Sequence, residues 1–409
     1  MSPLPAGAGR AVFYAAFFAN ACLRRILTYV AVVYGFEVLG GGTWSGFIYL
    51  GLVLPYLLSV SAGSVIDATP QRQVLRATAV LSVVLFGLLA AAEHGRWLGD
   101  GSAHGWLIAG LVAAYGVLSA FSYPAYLVVI PGVFGPAAAG RATAVVNVLA
   151  MLCYACGPLL AGFLRSHLSW SGLFASLALL GLGAWGLAEA IPLGQQPPAA
   201  APRESEWARL RQLLAFCRRD RALITVLVTA GLFTGLVVGP LEVLVPLFAR
   251  TPLDYEPFTA GLFMATGGAG LVTGAVAAIP LIGRGRLDAW LTGASVAGAL
   301  CMVALSLAAG PAAFALLFAG GMMGGAFNTL NIAGVQALAP DALRGRVLGL
   351  YSLILGATPA LGGVFAGWLA TATSPAVAVR VVFGSVLVVF TLFFAVLPAR
   401  RKAGAGSTG

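Results

Sequence analysis

The stretch GRATAVVNVLAMLCYACGPLLAGFL (140–164) returns 205 residues later as GRVLGLYSLILGATPALGGVFAGWL (345–369), aligned without a gap. Both copies begin Gly-Arg and end Ala-Gly-aromatic-Leu, with almost uninterrupted apolar sequence between. A repeat of this kind divides a chain into two halves of one plan, as secondary transporters do around a central site. Each copy sets its arginine, Arg141 or Arg346, at the start of the fifth apolar run of its half. Between the copies lies the only long polar stretch, LGQQPPAAAPRESEWARLRQLLAFCRRDR (193–221). Its first part is a Pro/Ala-rich linker. Trp207, Leu210, Leu214 and Cys217 then recur at helical spacing, which predicts a basic amphipathic helix lying on the membrane surface.

The composition identifies the solvent. The 409 residues are 60% hydrophobic and 9% charged, with mean hydropathy +0.96, whereas a soluble domain carries about 25% charged residues. A membrane-spanning helix needs about 20 predominantly apolar residues. Twelve such runs can be read, at 11–36, 43–62, 76–93, 105–130, 142–164, 171–193, 222–249, 259–282, 289–309, 312–337, 347–371 and 377–398. They are too long, and too poor in apolar/polar alternation, for a β-barrel. In lipid the backbone must satisfy its own hydrogen bonds, so the runs are helices. The expected organisation is an all-α polytopic membrane protein in two pseudo-symmetric six-helix bundles. Residues 1–193 form the first bundle, 194–221 the cytoplasmic linker and 222–398 the second bundle, with 399–409 a disordered tail.

Net charge +10 reports topology rather than nucleic-acid binding. With the N-terminus in the cytoplasm and sides alternating, Arg10, Arg72, Arg76, Arg141, Arg284, Arg286, Arg344, Arg346, Arg400, Arg401, Lys402 and six linker arginines are cytoplasmic: 17 of the 23 basic residues. Only Arg96, Arg165, Arg250 and Arg380 fall outside. That asymmetry predicts cytoplasmic termini in a bacterial-type inner membrane. VFYAAFFANA (12–21) resembles a signal-peptide core, but the apolar run resumes through Phe36 and cleavage would invert the topology; a retained first helix is expected. Cys153 and Cys156 sit in an apolar run without a partner motif and read as small packing residues. His94, His104 and His167 read as solvated residues of outer loops, with a periplasmic metal or pH-sensing cluster as the open alternative. No nucleotide, metal or nucleophile–base constellation appears, so an enzyme, a cofactor and a bound metal are not expected.

The remaining two basic residues, Arg24 and Arg25, stand in the middle of the first span. At roughly 2.5–3.5 kcal/mol each on the insertion scale, they cancel the gain from that helix's apolar residues. They must therefore meet water, a counter-charge or both inside the bundle, which marks a functional site. Asn20, Arg24 and Thr28 share one face, and Arg25 lies about 100° round. The Arg24 face is expected to line the cavity and bind an anionic or strongly polar group, since guanidinium suits carboxylate or phosphate. Alternatively, one or both arginines pair with a resident acid. Glu242 in the seventh span is the obvious partner, with Glu189 and Glu37 less central. Glu242 is also the only acid well inside a predicted span, and so the candidate proton carrier. Tyr123, Tyr126, Asn147, Asn328, Asn331, Gln336 and Tyr351 are further cavity candidates.

Several motifs carry a family resemblance. GSVIDATPQRQ (63–73), with Gly63, Asp67 and Arg72, resembles the loop motif of the major facilitator superfamily, with Pro70 where glycine is common. AFSYPAYLVVIPGVFGPAAAGRATAVVN (120–147) and NIAGVQALAPDALRGRVLGLYSL (331–353) resemble its enterobactin-exporter-like, drug-efflux-like branch, and CGPLLAG (156–162) its antiporter motif through Gly157, Pro158 and Gly162. The chain departs from that branch in placing LRR where Gly-Asp is common, and in having no charge in helix four. The resemblance implies the major facilitator fold and alternating access. It assigns gating to Gly63, Asp67, Arg72, Arg141, Gly157, Pro158, Gly162 and Arg346. The activity it implies is proton-coupled export, by antiport, of a small siderophore- or drug-like amphipathic molecule that can be anionic. An importer, lipid flippase or organic-anion exchanger stays open, as does a non-transporting receptor or assembly factor. The expected partners are that small molecule, protons and the lipid bilayer, with the chain a monomer and no nucleic acid involved.

Overall fold

A computed structural model describes residues 6–58, 66, 69–99, 101–193, 220–284, 287–340 and 344–405. The expected linker helix falls outside them. Among the described residues the secondary structure is helical throughout. Six helices form the first half: α1 Ala6–Glu37, α2 Gly42–Val53, α3 Gln71–Gly95, α4 Ser102–Phe134, α5 Pro136–His167 and α6 Trp170–Glu189. Six more form the second: α7 Ala222–Arg250, α8 Pro257–Ala278, α9 Leu287–Leu305, α10 Gly310–Leu338, α11 Arg344–Ala372 and α12 Pro375–Ala405. Eleven are long and apolar enough to cross a membrane, and α2 with its 3-10 extension to Leu58 is a shorter apolar helix. The last helix runs to Ala405, so the tail expected to be disordered from 399 is helical over most of its length.

Local chemistry sets the breaks. Gly135 alone separates α4 from α5, and its φ of +82° is one that glycine adopts without steric cost. Asp220 caps α7 by accepting from the backbone N–H groups of Ala222 and Leu223 at 2.9 and 3.1 Å. Within α7 the helix widens to a π turn over Thr234–Val238, just before Pro240, whose ring nitrogen has no proton to donate. There α7 lies backbone to backbone on α11: a Cβ at Gly239 would collide with the Pro359 carbonyl, and the Thr234 and Thr358 hydroxyls meet at 2.5 Å.

The halves meet along two helix pairs. On one side Gly42 and Gly46 of α2 face Gly367 and Gly363 of α11; a Cβ on Gly42 would stand 2.6 Å from the Gly367 carbonyl. On the other, Gly162 of α5 faces Gly261 of α8, and a Cβ on Gly162 would stand 2.9 Å from the Gly261 Cα. Such small-residue stripes let helix backbones approach where lipid supplies no hydrophobic drive. Both contacts lie toward the end of the bundle marked by Glu37. Each half also keeps its own apolar interior, with Phe86, Phe174 and Leu177 buried in the first and Phe263, Phe383 and Phe390 in the second. The two halves thus share a narrow seam and leave a cavity beside it.

Candidate functional site

The cavity measures about 230 Å³ and is walled mostly by the second half. Its floor is apolar, with the Phe233 and Phe327 rings stacked at 3.8 Å between centroids. Arg25, Tyr29, Tyr154 and Pro158 close it from the first half. Arg25 and Tyr29 are four residues apart, on one face of α1. The cavity therefore receives the Arg25 face of α1, where the Arg24 face is expected.

Arg25 is 9% exposed. Its Nη1 donates to Glu242 Oε1 at 2.8 Å, and its guanidinium carbon lies 3.3 Å from the centre of the Tyr154 ring. The backbone allows this close stacking: Gly157 lies against the Arg25 side chain, and a Cβ there would be 2.5 Å from Arg25 Cβ. Glu242 reaches the cavity from the first turn after the π segment of α7, a distortion frequent at functional positions. The pair joins the first helix of one half to the first helix of the other. Two charges leave water only when geometry and hydrogen bonds compensate them; here a carboxylate and an aromatic face serve one guanidinium.

Arg24 is half-buried and faces away, its guanidinium 5.6 Å from the Tyr56 ring. Its surroundings are Tyr56, Tyr115, Tyr123 and Tyr154. Among the described residues no carboxylate pairs with it. Thr28 is buried and donates to the Arg24 carbonyl at 2.8 Å, and Asn20 is half-buried; neither lines the cavity. Asn328, Asn331 and Tyr351 do line it, and the Asn331 amide is held by donation to the Val226 carbonyl at 3.2 Å. Asn147 is exposed on α5, away from the cavity. Sequence reasoning missed Tyr154 and Tyr29. Their only signal was spacing, Tyr154 one turn before the Gly157-Pro158 kink and Tyr29 one turn after Arg25.

The gating candidates separate. Gly157 and Pro158 touch the cavity and Gly162 the seam. Arg72 donates to the Ile191 carbonyl at 3.0 Å, tying α3 to the end of α6, where Arg76 and Glu189 also pair at 2.5 and 2.7 Å. Arg141 is exposed. Gly63, Asp67 and the Arg346 side chain lie outside the described residues. Across the seam, Glu37 of α1 accepts from Arg250 of α7 at 2.5 Å, with Arg165 of α5 at 3.8 Å. Cys153 is buried, its sulfur 3.2 Å from that of Cys22, both as free thiols.

One histidine expectation is overturned. His104 is not a solvated loop residue: it begins α4 and is 1% exposed, whereas His94 and His167 are exposed. Glu93, near the end of α3, is likewise a buried acid, so Glu242 is not alone. Among the described residues no three His, Cys, Asp or Glu side chains gather as a metal ion would need.

Comparison with known proteins bears on this geometry. Residues 48–405 match a family described as transmembrane secretion effector. No curated protein matches the chain significantly in sequence. Among solved structures, a mutant of the nucleoside transporter NupG is 14% identical with a TM-score of 0.77, over 95% of this chain and 99% of its own. The peptide transporter POT in complex with sulfate is 14% identical with a TM-score of 0.74, over 96% and 94%. A bacterial homologue of the iron transporter ferroportin, in its inward-facing state, is 16% identical with a TM-score of 0.71, over 96% and 100%. At these identities the likeness is one of fold.

Proposed function

The chain belongs to the transmembrane secretion effector family and is a membrane transporter of the major facilitator kind; we propose that it is a proton-coupled exporter of a small amphipathic organic molecule. The substrate is siderophore- or drug-like, carries negative charge, and is moved by alternating access. The observation that carries this reading is the buried Arg25–Glu242 pair, which links the two halves at the cavity wall. An ion pair across a moving seam is made or broken as the halves rock. A proton on Glu242 dissolves it, leaving Arg25 to Tyr154.

The sign of coupling follows from charge. A substrate donor that takes the Glu242 carboxylate is displaced when that carboxylate is protonated, which is the exchange antiport requires. An anion bound beside Arg25 alone is instead favoured by that proton, and would travel with it. The proposed antiport therefore gives a donor group of the substrate to Glu242 in the cavity and its anionic end to Arg24, which faces away from that cavity, pairs with no carboxylate among the described residues and is reached as the halves rock. The family's description as secretion effectors supports export, and the distribution of basic residues supports an inner membrane with both termini cytoplasmic. In that orientation the Glu37–Arg250 contact is the outer closure. One chain supplies both walls of the cavity, which supports a monomer.

Flux in proteoliposomes tests the reading. Wild type should give saturable transport that responds to a pH gradient, and Glu242→Gln should bind substrate yet lose that response. An unchanged pH response in Glu242→Gln, or no saturable flux in wild type, contradicts it.

A further inference from the structure

Apart from Arg25, Tyr29, Tyr154 and Pro158, the described residues of the cavity wall all come from the second half, and Glu242 is the only charged one among them. Three glycines of α10 show how room is kept there. A Cβ on Gly321 would collide with the Gly267 carbonyl, and one on Gly325 with the Leu271 carbonyl. Both positions are held bare by close packing on α8. Gly324 differs. A Cβ on it would meet only the Phe233 ring, at an ordinary 3.8 Å. Helix packing does not require glycine at 324; the absent side chain instead leaves space beside Phe233, one of the two stacked rings of the cavity floor.

Three polar side chains of this wall are already used. Thr234 donates to the Ala230 carbonyl at 2.8 Å and Ser295 to the Leu291 carbonyl at 2.8 Å. Asn331, 0% exposed, donates to the Val226 carbonyl at 3.2 Å. Asn328, one turn earlier on α10, is half-buried and lines the cavity, and its carboxamide makes no hydrogen bond among the described residues. An amide left unbonded in apolar surroundings is costly, and this one offers a donor and an acceptor side by side. Its complement presents the same two functions on one edge, as a primary amide or a lactam does. The neighbouring Phe233–Phe327 stack favours a flat aromatic partner. Met264 and Met302 in the same wall can adapt to its outline.

We infer that this part of the cavity is a subsite for an uncharged aromatic portion of the substrate, whose amide-type edge is read by Asn328 and whose ring lies in the room that Gly324 leaves beside Phe233. The inference rests on the reading of the cavity as the transport site, and it names a part of the substrate that Arg24 and Glu242 do not address. A lipid or detergent acyl chain would fill the same apolar room but would leave the Asn328 amide unbonded, so selectivity for an amide separates the two occupants.

Full-length protein in lipid nanodiscs is titrated with 2-naphthamide, a neutral aromatic amide, and with methyl 2-naphthoate, which keeps the rings and has no N–H. Affinity is read from ligand-dependent melting. Wild type is expected to bind the amide about tenfold more tightly than the ester, the worth of about one hydrogen bond. Asn328→Leu, similar in size but without the amide, should bring the amide down to the ester's affinity. Gly324→Val, which fills the room beside Phe233, should weaken both probes, and it carries the test should Asn328→Leu not fold. Wild type that binds neither probe, or both alike, overturns the inference. So does a folded Asn328→Leu that keeps the preference, or a folded Gly324→Val that binds both as wild type does. Both probes are neutral and the readout is binding, so failure here leaves the pH-driven flux standing, and a lost pH response there leaves this preference standing.

Discussion

Helices α1 and α7 hold equivalent places in the two halves, yet α1 carries two adjacent arginines through its middle while α7 carries one glutamate just after a π turn. The repeat that relates the halves keeps what backbone packing needs. Gly162 and Gly367, equivalent across the 205-residue offset, both sit on the seam. It does not keep the charge. The first half brings the cations and the tyrosines, and the second brings the acid and the apolar wall. The charges of Arg25 and Glu242 are therefore balanced only when the halves meet, which makes that balance sensitive to their relative position.

The comparison is broken most forcefully by removing one charge. Arg25→Leu leaves Glu242 buried without a partner and should cost about 3–5 kcal/mol of stability. Arg25→Leu/Glu242→Leu should recover most of that loss. Thermal unfolding of the single and double variants reads both effects, and a neutral single variant would mean the charges are not coupled. Next in size is the seam. Gly162→Ala sets a methyl 2.5 Å from the Pro257 carbonyl and 2.9 Å from the Gly261 Cα, an overpacking worth about 1–3 kcal/mol. Spin labels placed either side of the seam should report a wider separation, while Gly110→Ala, which meets nothing within 4 Å, should not move them. The smallest effect belongs to Glu37→Gln. The Glu37, Arg165 and Arg250 side chains are 20%, 28% and 22% exposed, and such partly solvated pairs contribute about 1 kcal/mol or less. It should therefore change the opening rate at that end more than the melting temperature.

Much of this was readable from sequence, and the failures have physical causes. Apolar run length is a property of the chain in its solvent, so the helices emerge from it directly, eleven of them long enough to span and the second shorter among the described residues. Cavity residues are harder, because periodicity says which side chains share a face and not where the face points. Asn20, Arg24 and Thr28 do lie together, but α1 turns Arg25 and Tyr29 to the cavity instead. The absolute rotation is set by what packs behind, and Gly157 receiving the Arg25 stem is a tertiary fact. Glu93 and His104 were misread for another reason. They flank the polar segment GRWLGDGSA (95–103), whose composition is that of a loop, and nothing local reveals that their side chains turn inward onto Tyr34.

The central proposal is a division of labour between neighbours, in which Arg24 would recognise an anion and Arg25 with Glu242 would couple the cycle. Ligand-dependent melting of the purified protein tests it most directly, since a ligand that binds only the folded state raises the melting temperature with occupancy. Anionic, neutral and cationic amphiphiles would be compared on wild type, Arg24→Ala and Glu242→Gln. The account predicts that anionic compounds stabilise wild type and Glu242→Gln, and that Arg24→Ala, still folded, loses at least tenfold in their affinity. Equal stabilisation of wild type and Arg24→Ala by the same anions would contradict it.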